Sequence, residues 1–81
     1  MIRVYKTGDG YMGIGSRIKK LRVIMDMTQA ELSFRTFIAP SVICRIERGD
    51  IPIRENQMRA LEKAFGLSTG ELLQDEIEVK I

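Results

Sequence analysis

The tightest constraint in this sequence lies between Thr28 and Gly49. Thr28-Gln29-Ala30-Glu31 is a capping box: Thr28 suits the N-cap and Glu31, three residues on, suits the reciprocal bond back to it. The helix it opens is expected to run to about Arg35 with Leu32 inward. Only Thr36, Phe37 and Ile38 then separate it from Ala39-Pro40. Proline is well placed in the first turn of a second helix, where its missing N–H is not needed. Ile43 and Ile46 form that helix's inner face, and Gly49 after Arg48 suits a left-handed cap. Two short helices joined this closely must cross at a steep angle, with one end of the second exposed. A helix presented in this way fits the major groove of DNA, where side chains near its N-terminus reach base edges.

Helical spacing extends to both sides. Ile18, Leu21 and Met25 stand at i, i+3 and i+7 with Lys19, Lys20 and Arg22 between them, predicting an amphipathic helix over 16–25. A loop around Pro52 precedes a helix expected from about Arg54 to Phe65, with Met58, Leu61 and Phe65 inward and Gly66 ending it. Ser68-Thr69-Gly70-Glu71 predicts a fifth, short helix through Leu72 and Leu73. Ile18, Leu21, Leu32, Ile43, Ile46, Leu61 and Leu72 are the expected core. Residues 2–6 and 76–81 alternate polar and apolar, which suits short strands. Between the first of these and the first helix, Gly8, Gly10, Gly13 and Gly15 read as a mobile arm.

Bulk properties narrow the function. At 81 residues the chain is one domain, and 44% apolar with 30% charged residues is ordinary for a globular protein. Residues 1–54 hold ten Lys/Arg and five Asp/Glu, a balance of +5; residues 55–81 hold three and six, a balance of −3. A basic front with an acidic rear suggests one face made for an anion. There is no histidine and one cysteine, Cys44. That removes zinc-finger spacing, an internal disulfide and the histidine-dependent catalytic arrangements. No metal or cofactor is called for, no paired nucleophile and base stands out, and catalysis is not expected. No apolar run approaches a membrane span and the first residues have no signal-peptide core, so the expected location is the cytoplasm. Gly8-Asp9-Gly10-Tyr11-Met12-Gly13 spells the dinucleotide-binding pattern G-x-G-x-x-G. That site needs a second parallel strand after the helix, whereas here another capped helix follows.

The stretch MTQAELSFRTFIAPSVICRIERG resembles the helix-turn-helix of the lambda-repressor and Cro-like (XRE-type) family, through Thr28-Gln29, Glu31-Leu32, Ile38, Ile43 and the run Arg45-Ile46-Glu47-Arg48-Gly49. LEKAFGLSTGELL is similar to that family's fourth and fifth helices, so the likeness covers about residues 16–74. It implies an all-α, five-helix lambda-repressor-like fold; the candidate short β-strands at the two ends lie outside the likeness and rest on their alternation. The likeness also implies that Gln29 bonds a DNA phosphate and braces the reading helix, a role suited to a helix N-terminus. Pro40, Ser41, Val42 and Arg45 match the outward face of that helix, and Ala39, at its start, is also an expected DNA-binding residue. Arg45 has the donor fork for guanine O6 and N7. Ser41 suits a base or phosphate, Val42 a thymine methyl, Cys44 and Arg48 the DNA backbone. Glu47 and Arg22 match a salt bridge between the third and first helices. Four residues depart from the pattern. Phe37 stands where the turn usually has glycine, so a different turn geometry is expected. Ser33 replaces a common alanine, Ala39 is a poor N-cap, and Thr36 replaces a usual leucine, leaving Phe34 or Phe37 to supply core.

The expected organisation is therefore a strand and glycine-rich arm over 1–15, a DNA-binding domain over 16–74 and a strand-like tail over 75–81. The expected function is a sequence-specific transcriptional regulator, a repressor, placing helix 39–48 in the major groove of double-stranded DNA as a homodimer. The alternative is an antitoxin-type protein-interaction module on the same fold, its acidic rear meeting a protein partner; co-purification of a stoichiometric partner tells the two apart. The terminal strands are candidates for the dimer contact and could pair within one chain or between two; pairing within one chain is the favoured expectation. Deletion of residues 75–81 then lowers the melting temperature, and unchanged melting rejects that pairing.

Overall fold

The structure, a computed structural model, describes residues 2–5, 12–74 and 76–79. Its first helix, α1 (Met12–Ile24), begins four residues before the expected start. Gly13 and Gly15 are therefore helical and buried, not part of an arm, while Gly8 and Gly10 lie outside the described residues. The reason is packing. A Cβ built on Gly15 would stand 2.1 Å from the Ile46 carbonyl oxygen of α3 (Pro40–Arg48). Glycine costs a helix interior about 1 kcal/mol relative to alanine, and here it lets two backbones touch.

Helix α2 (Gln29–Thr36) is capped by Thr28, whose hydroxyl accepts from the Glu31 N–H at 3.0 Å. The reciprocal half of the expected box is not formed: the Glu31 carboxylate faces Arg35 at 3.8 Å. Thr36 closes α2 instead of opening the connection. Helix α3 starts at Pro40 as expected, with no side-chain bond from Ala39, and ends at Gly49 in the left-handed region (φ 77°). Helix α4 (Glu55–Ala64) is preceded by Arg54, whose N–H donates to Gln57 Oε1 at 2.9 Å. Gly66 (φ 72°) follows it.

The fifth helix is reduced to a single 3-10 turn, Glu71–Leu73. The signal at 68–71 is a real turn signal, since the Ser68 N–H donates to Glu71 Oε1 at 2.9 Å. But Gly70 lies at φ 86° and Gln74 is already extended, so the helix has no length to propagate. Strands β1 (Ile2–Tyr5) and β2 (Glu76–Val79) pair antiparallel in register Ile2↔Val79, Arg3↔Glu78, Val4↔Ile77 and Tyr5↔Glu76. The pairing is within one chain; Lys6, Lys80 and Ile81, also expected in strands, lie outside the described residues. The fold is thus four α-helices, a 3-10 turn and one antiparallel ribbon among the described residues.

All seven expected core residues are buried, joined by Ile14, Met27, Ile38, Met58 and Phe65. Burying a side chain of this size is worth about 1.5–3 kcal/mol. The expectation that Phe34 or Phe37 would fill for Thr36 fails: they are 83% and 96% exposed. Thr36 is itself buried, its hydroxyl donating to the Leu32 carbonyl at 2.8 Å. No helix among the described residues is long and apolar enough to cross a membrane.

The α1–α3 contact makes a direct test. Gly15→Ala is expected to cost about 3 kcal/mol, because the clash is with backbone; urea unfolding measures it. A loss below about 0.5 kcal/mol, the size of an ordinary surface substitution, would mean that the helices do not approach this closely.

Candidate nucleic-acid interface

Helix α3 alternates buried and exposed residues with the helical period, which gives it two faces. Ile43, Ile46 and Glu47 face inward; Ala39, Pro40, Ser41, Arg45 and Arg48 are exposed, with Val42 and Cys44 half-buried between. Val42 packs partly against the core. Cys44 is a free thiol.

The inward Glu47 carboxylate holds the helix in place. Its side chain is 2% exposed. Arg22 Nε donates to Oε2 at 2.7 Å and Arg22 Nη2 donates to Oε1 at 3.1 Å, a bidentate fork from α1. Gln29 Nε2, from the first residue of α2, donates to Oε1 at 3.0 Å. The third arm of the guanidinium, Nη1, donates to the Met27 carbonyl at 2.8 Å. One carboxylate thus joins three helices, and charge-assisted bidentate bonds of this kind are both strong and directional.

The expected site residues fall into two groups. Arg22, Gln29 and Glu47 are together in the brace. The Gln29 amide nitrogen carries two hydrogens; one is committed to Glu47, which leaves one for an outside acceptor. The others lie on or beside the exposed face of α3. Arg45 makes no ion pair among the described residues, so its fork is open to an outside acceptor. Arg48 pairs with Asp50 at 2.8 Å, both side chains being about half exposed. An exposed pair is worth about 0–1 kcal/mol, so exchanging Asp50 for another anion costs little.

Four residues were not singled out from the sequence as functional. Arg17, buried, donates through Nη1 to the Leu72 carbonyl at 2.8 Å and to the Gln74 carbonyl. Glu62, also buried, accepts the Leu72 N–H at 3.0 Å and pairs with Arg59. Together they clamp the 3-10 turn from α1 and α4. Their signal is positional. Arg17 falls on the stripe Ile14, Ile18, Leu21, and Glu62 on the stripe Met58, Leu61, Phe65. A charge on an apolar stripe must be buried and satisfied. Ser33 and Thr36 are the other two, hydroxyls on α2 where it turns toward α3.

A family model described as Helix-turn-helix matches residues 18–72. The chain belongs to the helix-turn-helix family, of the Cro/C1 or XRE type. That family is one of DNA-binding regulators of transcription. No curated protein and no solved structure matches the chain. The matched segment of this helix-turn-helix protein runs from α1 to the 3-10 turn. It leaves out the terminal ribbon, Gly15 and Arg17.

The brace sets an expectation for stability. Glu47→Ala strands the Arg22 guanidinium, whose side chain is only 12% exposed. The loss should reach about 3–5 kcal/mol in urea unfolding. A loss under about 1 kcal/mol, typical of an exposed pair, would show that the bridge does not hold α3.

Proposed function

We propose that this protein is a sequence-specific DNA-binding regulator, acting as a repressor, that lays α3 in the major groove. The observation that carries this reading is the division of α3. Its inner face is bound to α1 and α2 through Glu47, while its outer face presents the exposed side chains of Ser41, Arg45 and Arg48. Recognition needs both halves, because base contacts discriminate only from a helix whose position is fixed.

Arg45 is proposed to take guanine O6 and N7, and Ser41 a base or phosphate oxygen. Val42 offers its methyls to thymine, and Ala39 and Pro40 contribute shape at the helix start. Arg48 and the remaining Gln29 hydrogen are assigned to phosphate, with Cys44 close to the backbone. Binding, with no catalysis, is the whole of the proposed activity, and its place is the cytoplasm, with the DNA.

One chain presents one candidate reading helix, α3, which reaches only a few base pairs. One copy therefore spans one half-site, and a homodimer is the proposed unit. The antitoxin-type alternative keeps the same fold and adds a protein partner for the acidic rear.

The experiment is selection from random duplexes at two salt concentrations. The expected result is an enriched two-fold-symmetric site with half-site centres about 34–36 Å apart, bound with an affinity that falls steeply as salt rises. Arg45→Ala should relax selection at one base pair per half-site and cost about tenfold or more in affinity there. Arg48→Ala should weaken all duplexes alike. No enrichment, or binding indifferent to salt, rejects the reading and turns attention to a stoichiometric protein partner.

A further inference from the structure

The lead-in to α3 has proline in the first turn but no side-chain cap. Ala39 contributes no side-chain bond, and Pro40 has no N–H. The residue two places before Pro40's neighbour is under backbone strain as well: Phe37 sits at φ 60°, ψ 22°, a region that costs a residue with a Cβ about 1–2 kcal/mol. Its ring recovers none of that cost by packing, being 96% exposed. Something else must hold this turn.

Two hydroxyls do. Thr36 Oγ1 donates to the Leu32 carbonyl at 2.8 Å and accepts the Ile38 N–H at 3.3 Å. Ser33 Oγ donates to the Ile38 carbonyl at 2.5 Å. Both polar backbone groups of Ile38 are therefore tied to α2 by side chains. Ile38 itself is buried in the core, so it is fixed by its side chain and by both faces of its backbone. The Phe37 N–H closes the same turn onto the Ser33 carbonyl at 2.9 Å. Ile38 is the last residue before Ala39, so its plane sets the direction in which α3 departs.

We propose that Ser33 and Thr36 are positioning residues for base reading: acting through Ile38, they set the angle at which α3 meets the groove. This rests on the DNA-binding reading above. Neither side chain touches DNA. A tilt of α3 displaces Ser41 and Arg45 relative to the bases, whereas phosphate contacts from flexible arginine side chains tolerate it. Loss of the hydroxyls should therefore lower discrimination more than it lowers binding.

The test compares the wild-type chain with Thr36→Val, Thr36→Ser and Ser33→Ala. Affinity is measured for the duplex that the wild type enriches and, at low salt, for a scrambled duplex of the same composition. Thr36→Val keeps the shape and removes the hydroxyl. It is expected to lose about tenfold or more on the enriched duplex while changing less than about twofold on the scrambled one. Thr36→Ser, which restores the hydroxyl, should recover the ratio of the two affinities. A variant that is merely less stable loses both affinities together and leaves the ratio intact, and that outcome overturns the proposal. Should Thr36→Val fail to fold, the half-buried Ser33→Ala carries the same comparison with the same two outcomes. A wild-type chain that enriches no duplex overturns the DNA-binding reading and this proposal with it. Enrichment by the wild type with unchanged ratios in the variants overturns this proposal alone.

Discussion

The arrangement of this domain depends on one buried carboxylate. Glu47 lies on the inner face of α3 and receives donors from Arg22 and Gln29. A charge taken out of water in this way is costly unless every lone pair is met by well-placed donors. Meeting that demand requires α1, α2 and α3 to stand in one relation to each other. The apolar residues around it bring the helices together, but they tolerate sliding and rotation better than a bidentate ion pair does. Hydrophobic burial thus supplies most of the stability, and Glu47 selects the geometry in which that burial occurs. In that geometry the backbone of Gly15 also approaches the Ile46 carbonyl closely.

The carboxylate acts on the later part of α3, whereas the Ser33 and Thr36 hydroxyls act just before its start. A helix of nine residues held near both ends has little freedom to tilt or turn about its axis. Arg45 is thus exposed on a backbone anchored near both ends. The two buried charges elsewhere, Arg17 and Glu62, extend the same logic to the rear of the domain: they hold the 3-10 turn, from which the chain departs into β2.

Much of this was legible in the residues. The apolar stripes, the Thr28 cap, the proline at the start of α3 and Gly49 at its end each carry a local physical meaning, so the order of helices and the core followed from them. The ion pair of Glu47 with Arg22 followed from family likeness and not from spacing, because residues 25 apart have no sequence relation until the fold brings them together. What escaped had one common cause. Gly15 read as part of an arm because glycine is a helix breaker in isolation; its value lies in a contact with α3 that no local pattern contains. Phe37 read as an obstacle to the usual turn, yet the turn keeps its left-handed residue, because hydroxyls on α2 hold the following residue in place. Thr36 read as a gap in the core, and it is a buried polar residue whose bonds are satisfied. The fifth helix was overestimated because a capping signal states where a helix can begin, not whether enough chain follows to sustain it.

The separation of tasks along α3 has a consequence for how such a domain changes. Ser41, Arg45 and Arg48 are exposed and none belongs to the core, so replacing them alters the outward surface more than it alters what holds the helix. Substitutions on this row should cost little stability, because the sites are exposed, although neighbours three and four residues apart on one helix face remain close enough to couple. Residues that set the angle behave differently. A change at Thr36, Ser33 or Glu47 moves all outward side chains at once, so its effect on any one contact depends on which residues stand in the row. On the proposed DNA-binding reading, a new base preference is reached by changing outward residues against a fixed frame, and a change of frame requires the whole row to be chosen again.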